Sequence, residues 1–411
     1  MAGRESAKNS RNAKARRCGA VVGGALSAFV AAAAMATGSA APAKADFEDL
    51  LDPIIQPLLT SFTDSISAFD PAAAVDITNW TDSLLSSLNS IEVAAPAGAE
   101  SAAANAASAA EPAASLPTTA DIPITIAENT EPTVAATVDG ASTSLLVDTG
   151  SSGLVIPDTD LGLTSPFQTL ETLGFPSKIG ETGYSGGVQY IYFTYDNATV
   201  DYGGVLTTSD TPIEVEVYSY EPGNFASLFS NDAFQKFDAT NDATGILGIA
   251  DKASGSAGES PIQAAGYTGV TVDEPQHELI VSDSNPFASD GLTLTGSGST
   301  VSGLTEKVTE GSTTVGSGTV SDDIDSGGVY GTIPKSIAPD GVPDGDTITV
   351  SDGSTVLYSY TVENDGGTQL PNETPTVVSG SSIDSGYEAF ENNPVYIDYS
   401  NDTLSYDDLL Q

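Results

Sequence analysis

Three textures of hydrophobic and polar positions follow one another along this chain. Over 46–93, apolar residues recur at helical spacing. Phe47, Leu50, Leu51, Ile54, Ile55, Leu58 and Leu59 fall on one stripe, which predicts a leader of short helices. Pro53 and Pro57 limit its regularity. A second helix begins near Ile77, with Thr78 or Asn79 as its cap. Over 94–117 the periodicity disappears into Ala, Ser and Pro, the composition of a linker.

From Ile122 the period shortens to two. Thr133–Val138, Leu145–Val147, Tyr190–Tyr195, Ile213–Tyr218, Leu279–Val281, Thr347–Val350, Val356–Val362 and Val395–Tyr399 each read as a short strand. Turns rich in Gly and Asp separate them, and Asp139-Gly140 has the chemistry of a tight hairpin. Nearly all of this long stretch is strand-like, which predicts a mainly β protein. Two lobes are expected, 118–255 and 256–411. The seam falls between Ala250 and Val270, after the apolar run Gly245–Ile249.

The first 45 residues have a different character. Arg4, Lys8, Arg11, Lys14, Arg16 and Arg17 precede an Ala-rich apolar run from Cys18 to about Met35. Ala43-Lys44-Ala45 then supplies a small-x-small cleavage site, so 1–45 reads as a signal peptide. The general secretory route and twin-arginine export, hinted at by Arg16-Arg17, both fit. A secreted or cell-envelope protein is expected. The whole chain has a formal charge of −44. Residues 1–45 hold seven of its 12 basic residues and one of its 56 acids, which leaves 5 − 55 = −50 for the remainder. Such a surface repels nucleic acid and anionic headgroups.

Candidate chemistry is narrowed by what the chain lacks. One His, His277, and one Cys, Cys18, cannot furnish a usual zinc site, and the segment expected to remain has no thiol nucleophile. His277 has no matching nucleophile elbow and reads as a turn or surface residue. Neither metal nor cofactor is expected. Carboxylates remain, and they occur in a repeat. Asp148-Thr149-Gly150-Ser151 runs on to Ile156-Pro157; Asp325-Ser326-Gly327-Gly328 runs on to Ile333-Pro334. The Asp-to-Pro offset is nine in both (157 − 148; 334 − 325). Two copies of one acidic turn suggest two related halves that each bring a carboxylate to a shared site. Two carboxylates held close share a proton and can act together as general acid and general base. A third Asp-hydroxyl-Gly triplet, Asp384-Ser385-Gly386, has too little chain after it to build a lobe and lacks the Ile-Pro ending. Asp325 is therefore preferred as the partner of Asp148.

These residues resemble the pepsin-like aspartic peptidases, and most of all the PecA-like branch associated with PE/PGRS proteins in mycobacteria. The resemblance covers about Ile122–Asp408. Leu145–Ser152 is similar to the family's first active-site turn and Ile324–Gly327 to its second. Gly180–Gly187 with the aromatic strand that follows resembles the flap hairpin. Ile246-Leu247-Gly248 resembles the apolar segment behind the first active-site loop, and Gly386 marks its counterpart. The resemblance implies a bilobal fold with the active-site cleft between the lobes and Asp148 and Asp325 as catalytic residues. Thr149, Gly150, Ser151, Ser326 and Gly327 would support the loops. Tyr184, Ser185 and Gly186 would bind substrate from the flap. It implies a secreted endopeptidase in which a water between the two Asp attacks an extended polypeptide, from exported PE-type proteins or from the chain itself. A monomer is expected, and an envelope contact through 46–93 is left open.

The chain also departs from the pattern. Asp323 is polar where an apolar residue is usual, Gly328 stands in place of a hydroxyl residue, and Asp384-Ser385 replaces apolar residues. No Lys, Arg or His lies between Asp46 and Ser177, so an inhibitory lysine cannot come from that stretch, and a tether is expected instead. Two other readings stay open: a non-catalytic envelope-binding protein of the same fold, and a calcium-stabilised surface protein. The second is suggested by the acidic loop 340–346, which lacks EF-hand spacing.

Overall fold

The computed structural model describes residues 116–183, 188–220, 242–251, 258–289, 291–363 and 374–407. The expected signal peptide, helical leader and most of the linker lie outside the described residues. The described chain is mainly β. After β1 (Thr119–Pro123) come β2 (Thr125–Ala127), β3 (Glu131–Val138), β4 (Ala141–Asp148), β5 (Ser152–Pro157), β6 (Lys178–Gly183), β7 (Gln189–Tyr202), β8 (Leu206–Tyr220) and β9 (Gly245–Ile249). Strands β2 to β9 make one eight-stranded sheet, ordered β2-β3-β4-β9-β5-β8-β7-β6.

The later strands are β10 (Gly269–Asp273), β11 (Glu278–Ser282), β12 (Leu292–Ser297), β13 (Thr300–Glu310), β14 (Thr313–Asp323), β15 (Thr332–Pro334), β16 (Thr347–Asp352), β17 (Thr355–Thr361), β18 (Thr376–Val378), β19 (Ser382–Asp384), β20 (Val395–Asp398) and β21 (Thr403–Tyr406). An eleven-stranded sheet follows the order β1-β11-β10-β20-β21-β12-β13-β14-β19, with β16 against β13 and β17 against β16. Strands β15 and β18 form a separate parallel pair.

Local chemistry explains several of these elements. Asp139 and Gly140 take φ of 49° and 87°, the left-handed pair that a two-residue hairpin requires, and they join β3 to β4. Every residue of β5 and β9 is buried, as befits central strands covered on both faces. A helix, α1 (Pro166–Leu173), starts where Ser165 accepts from the Gln168 amide at 3.2 Å and Pro166 sets the first turn.

One strand crosses between the sheets. β1 falls within the stretch read from sequence as the first lobe, yet it pairs antiparallel with β11. Its side chains alternate exposed and buried, so Ala120 and Ile122 reach the core only if one face is covered. Tyr267 Oη donates to the Pro117 carbonyl at 2.9 Å and ties down the start of this crossing. His277 sits exposed in the β10–β11 turn with φ of 58°, which agrees with its reading as a turn residue.

The first sheet contains a crossed motif, and its parallel half recurs in the second. In the first, β9 lies between β4 and β5, parallel to one and antiparallel to the other. The turn 148–152 must straddle the end of β9. A Cβ on Gly248 would come within 2.6 Å of the Ser152 backbone, so this contact requires glycine. In the second, β14 runs parallel to β19, and a Cβ on Gly386 would meet the Gly331 amide at 2.7 Å. The segment Ile246-Leu247-Gly248 and its counterpart ending at Gly386 thus lie behind the two acidic turns, as the sequence suggests.

Candidate active site

Asp148 closes β4 and Asp325 follows β14 by two residues. Their turns are tied together by a reciprocal set of four hydrogen bonds. Thr149 Oγ1 donates to the Ile324 carbonyl at 2.6 Å and accepts from the Ser326 amide at 2.8 Å. Ser326 Oγ donates to the Val147 carbonyl at 2.7 Å and accepts from the Thr149 amide at 3.1 Å. Both hydroxyl residues are fully enclosed, at 1% and 0% exposure, so no water can substitute for either partner. The hydroxyl at the second place of each triplet is thus a cross-link between the two turns.

The glycines at the third place let the carboxyls meet. A Cβ on Gly150 would lie 2.5 Å from Asp325 Cγ, and one on Gly327 would lie 2.8 Å from Asp148 Cγ. Each turn presents its glycine to the opposite acid, and any side chain there would collide with it. The Gly150 amide donates to Asp148 Oδ1 at 2.8 Å and reaches Asp325 Oδ1 at 3.2 Å. The Gly327 amide donates to Asp325 Oδ1 at 2.9 Å. Ser151 Oγ donates to Asp148 Oδ2 at 2.5 Å.

Each carboxyl lies against the opposite turn, so the two negative charges oppose one another and a single proton shared between them is favoured. The Asp325 carboxyl is raised well above the ordinary carboxylate range. Loss of solvent is the main cause, followed by the charges of Asp148 and Asp384, the hydrogen bond to Asp148 and the charge of Asp323. The arrangement can hold one proton between two carboxylates and present both to a single small molecule.

The sequence left three choices that the geometry resolves or leaves apart. Of the two candidate partners for Asp148, it is Asp325 that meets it across the paired turns; Asp384 Oδ1 instead accepts from its own Gly386 amide at 2.8 Å. Asp323 is absorbed locally, with Ser299 Oγ donating to its carboxylate. Tyr184, Ser185 and Gly186 lie outside the described residues. The flanking pairing is described, with β6 and β7 antiparallel from Lys178 opposite Thr194 to Gly183 opposite Gln189.

Sequence reasoning missed Ser385 as a support residue: its Oγ accepts from the Asp325 amide at 3.0 Å, across 60 residues of chain. The only available signal was the third Asp-Ser-Gly triplet. Among the described residues no group of three or more His, Cys, Asp or Glu is arranged to hold a metal ion.

A family model described as the PE-PGRS C-terminal aspartyl peptidase-like domain matches residues 120–406. The chain is similar to PE cleavage protein A of Mycobacterium tuberculosis, in strains H37Rv and CDC 1551, at 35% identity over 295 residues. It is similar to PE cleavage protein A of Mycobacterium marinum at 34% identity over 295 residues. The aligned stretch is 68% of this chain and 50% of each relative, so the chain spans about half the length of the curated relatives it matches.

Proposed function

The chain belongs to the PE-PGRS C-terminal aspartyl peptidase-like family, and on that premise we propose that it is an aspartic endopeptidase with Asp148 and Asp325 as its catalytic pair. The observation that carries this reading is the reciprocal contact of the two acidic turns, each glycine against the opposite carboxyl. A water seated between the two acids would lose a proton to the ionised carboxylate as its oxygen bonds to the peptide carbonyl carbon. The protonated carboxyl, assigned here to Asp325, would give its proton to the carbonyl oxygen. Collapse of the resulting diol then breaks the C–N bond, with a proton delivered to the departing nitrogen. The cross-linked turns fix both acids before substrate arrives, so little reorganisation is needed during the reaction.

In this reading the two sheets form two lobes with the cleft between them, and the β6–β7 hairpin closes over an extended polypeptide. The name of the relatives makes exported PE-type proteins a natural substrate class to test, with the chain itself as a second. Export itself rests on the charge and hydropathy of 1–45, and the N-terminal sequence of protein recovered from culture medium would test it.

The test of the catalytic pair uses Asp148→Asn and Asp325→Asn separately. Each variant is expected to lose pepstatin-sensitive cleavage of an unfolded polypeptide by on the order of a thousandfold or more while melting as a folded protein. Cleavage retained in either variant overturns the assignment. A wild-type protein that binds but never cuts would favour a non-catalytic binding role on the same fold.

A further inference from the structure

The two acidic turns are not equivalent, and the difference lies three residues after each Asp. In the first, Ser151 donates to the outer oxygen of Asp148. In the second the corresponding residue is Gly328, and a third acid fills the space. A Cβ on Gly328 would come within 2.6 Å of Asp384 Oδ1. The missing hydroxyl and the unexpected Asp384 are therefore one feature: the glycine makes room for the carboxyl.

Asp384 is held firmly there. It ends β19, opposite Asp323 of parallel β14. Its amide donates to Thr332 Oγ1 at 2.8 Å and its Oδ1 accepts from the Gly386 amide at 2.8 Å. The next residue joins its turn to the catalytic one: Ser385 Oγ accepts from the Asp325 amide at 3.0 Å, and the Ser385 amide donates to the Asp323 carbonyl at 2.9 Å. A shift of Asp384 would thus be passed to Asp325 through the backbone.

The charged groups around it are all acids. Asp323 and Asp148 act on Asp384, and Asp384 acts on Asp325 and on Asp322, whose Oδ2 accepts from Tyr358 Oη at 2.6 Å. On the short helical turn that follows, Glu388 is coupled instead to Glu391 and Tyr360. None of the described Lys or His residues is among these partners. Burial, with Asp323 and Asp148 adding to it and the Gly386 amide opposing, pushes the Asp384 carboxyl up to about 7.

We propose that Asp384 is a positioning residue for the acid pair, a third carboxyl in the place of the second turn's hydroxyl that, once ionised, holds the shared proton on Asp148 and Asp325 as the pH approaches neutrality. This rests on the peptidase reading above. In acid Asp384 carries its own proton and exerts no charge. As it ionises, its negative charge opposes the loss of the last proton of the pair, because removing that proton would place a further anion beside it. The alkaline limit of activity moves upward and the acid limit stays where it is.

The experiment is the pH profile of kcat/KM for the wild-type protein and Asp384→Asn. The amide keeps the acceptor for the Gly386 amide and removes the charge. The alkaline limb is expected to fall by about one pH unit. The acid limb should not move, and activity near pH 4.5 should stay within about threefold of wild type. Above the alkaline limits of both proteins the variant should then be about tenfold slower. Asp384→Ser, which also keeps an acceptor, serves if Asp384→Asn does not fold. An unmoved alkaline limb, with activity either intact or lowered uniformly at every pH, overturns the role of Asp384 alone. Wild-type protein without pepstatin-sensitive cleavage overturns the peptidase reading instead.

Discussion

Replacing Ser326 with alanine tests the cross-link between the turns. Its hydroxyl is fully enclosed and serves two backbone groups of the other turn, the Val147 carbonyl and the Thr149 amide. Alanine leaves both without a partner where water cannot follow. Each orphaned buried group costs about 1–3 kcal/mol, so the variant should lose about 2–6 kcal/mol. For a domain of this size that is a fall of roughly 5–15 °C in melting temperature. Activity should drop further than stability, because the same bonds set the distance between Asp148 and Asp325. A displacement of about 1 Å at a reacting group can cost about a hundredfold in rate. Thr149→Ser is the matched control: it keeps the bonds to Ile324 and Ser326 and removes only a methyl, at about 1 kcal/mol. The double variant Thr149→Ala with Ser326→Ala should be less destabilised than the sum of the two, because the turns part once either hydroxyl is gone. Thermal melts and cleavage kinetics on wild type, the three single variants and the double variant measure this. The reasoning fails if Ser326→Ala melts within about 1 °C of wild type and keeps kcat/KM within twofold.

Acid should stabilise the fold. Burial raises the carboxyls of Glu131 to about 7, Glu214 and Glu306 to about 8 and Glu388 to about 9, from an ordinary 4.5. Each binds its proton more tightly in the fold than in the unfolded chain. Stability is therefore complete below about pH 4.5 and declines as pH rises through 7 to 9, which urea melts from pH 4 to 9 would follow. A flat or rising profile contradicts it. Glu214→Gln removes one of these ionisations and should raise the melting temperature at pH 9 relative to wild type, with no gain at pH 4; an equal shift at both would dismiss the cause. Gly150→Ala places a methyl 2.5 Å from Asp325 Cγ and should abolish cleavage even if the protein still folds; near-normal kinetics would show that the carboxyls are not in contact.

What the sequence made legible was local. The Asp139-Gly140 hairpin could be read because its backbone geometry is dictated by two adjacent residues. The acidic turns could be read because hydroxyl and glycine have fixed duties one and two places after the acid, and both copies preserve them. The β13–β14 pair escaped: its Ser, Thr and Gly residues leave much of β14 exposed, so hydropathy gives no alternation to detect. Helix α1 was signalled only by Ser165-Pro166, a cap too short to stand out in a β background. The crossing of β1 and the bond from the Asp325 amide to Ser385 join residues far apart in the chain, and no local pattern specifies such partners. Asp323 and Asp384 looked like departures from the family pattern when read in sequence. In the fold one has Ser299 as a partner and the other fills the space left by Gly328.

The most direct measurement is a crystal structure with a statine-type inhibitor, whose hydroxyl mimics the attacking water. That hydroxyl should lie within hydrogen-bond reach of both Asp148 and Asp325, about 2.5–3.0 Å from the nearer oxygen of each. An inhibitor bound elsewhere, or one touching a single acid while the other points away, would contradict a shared catalytic pair.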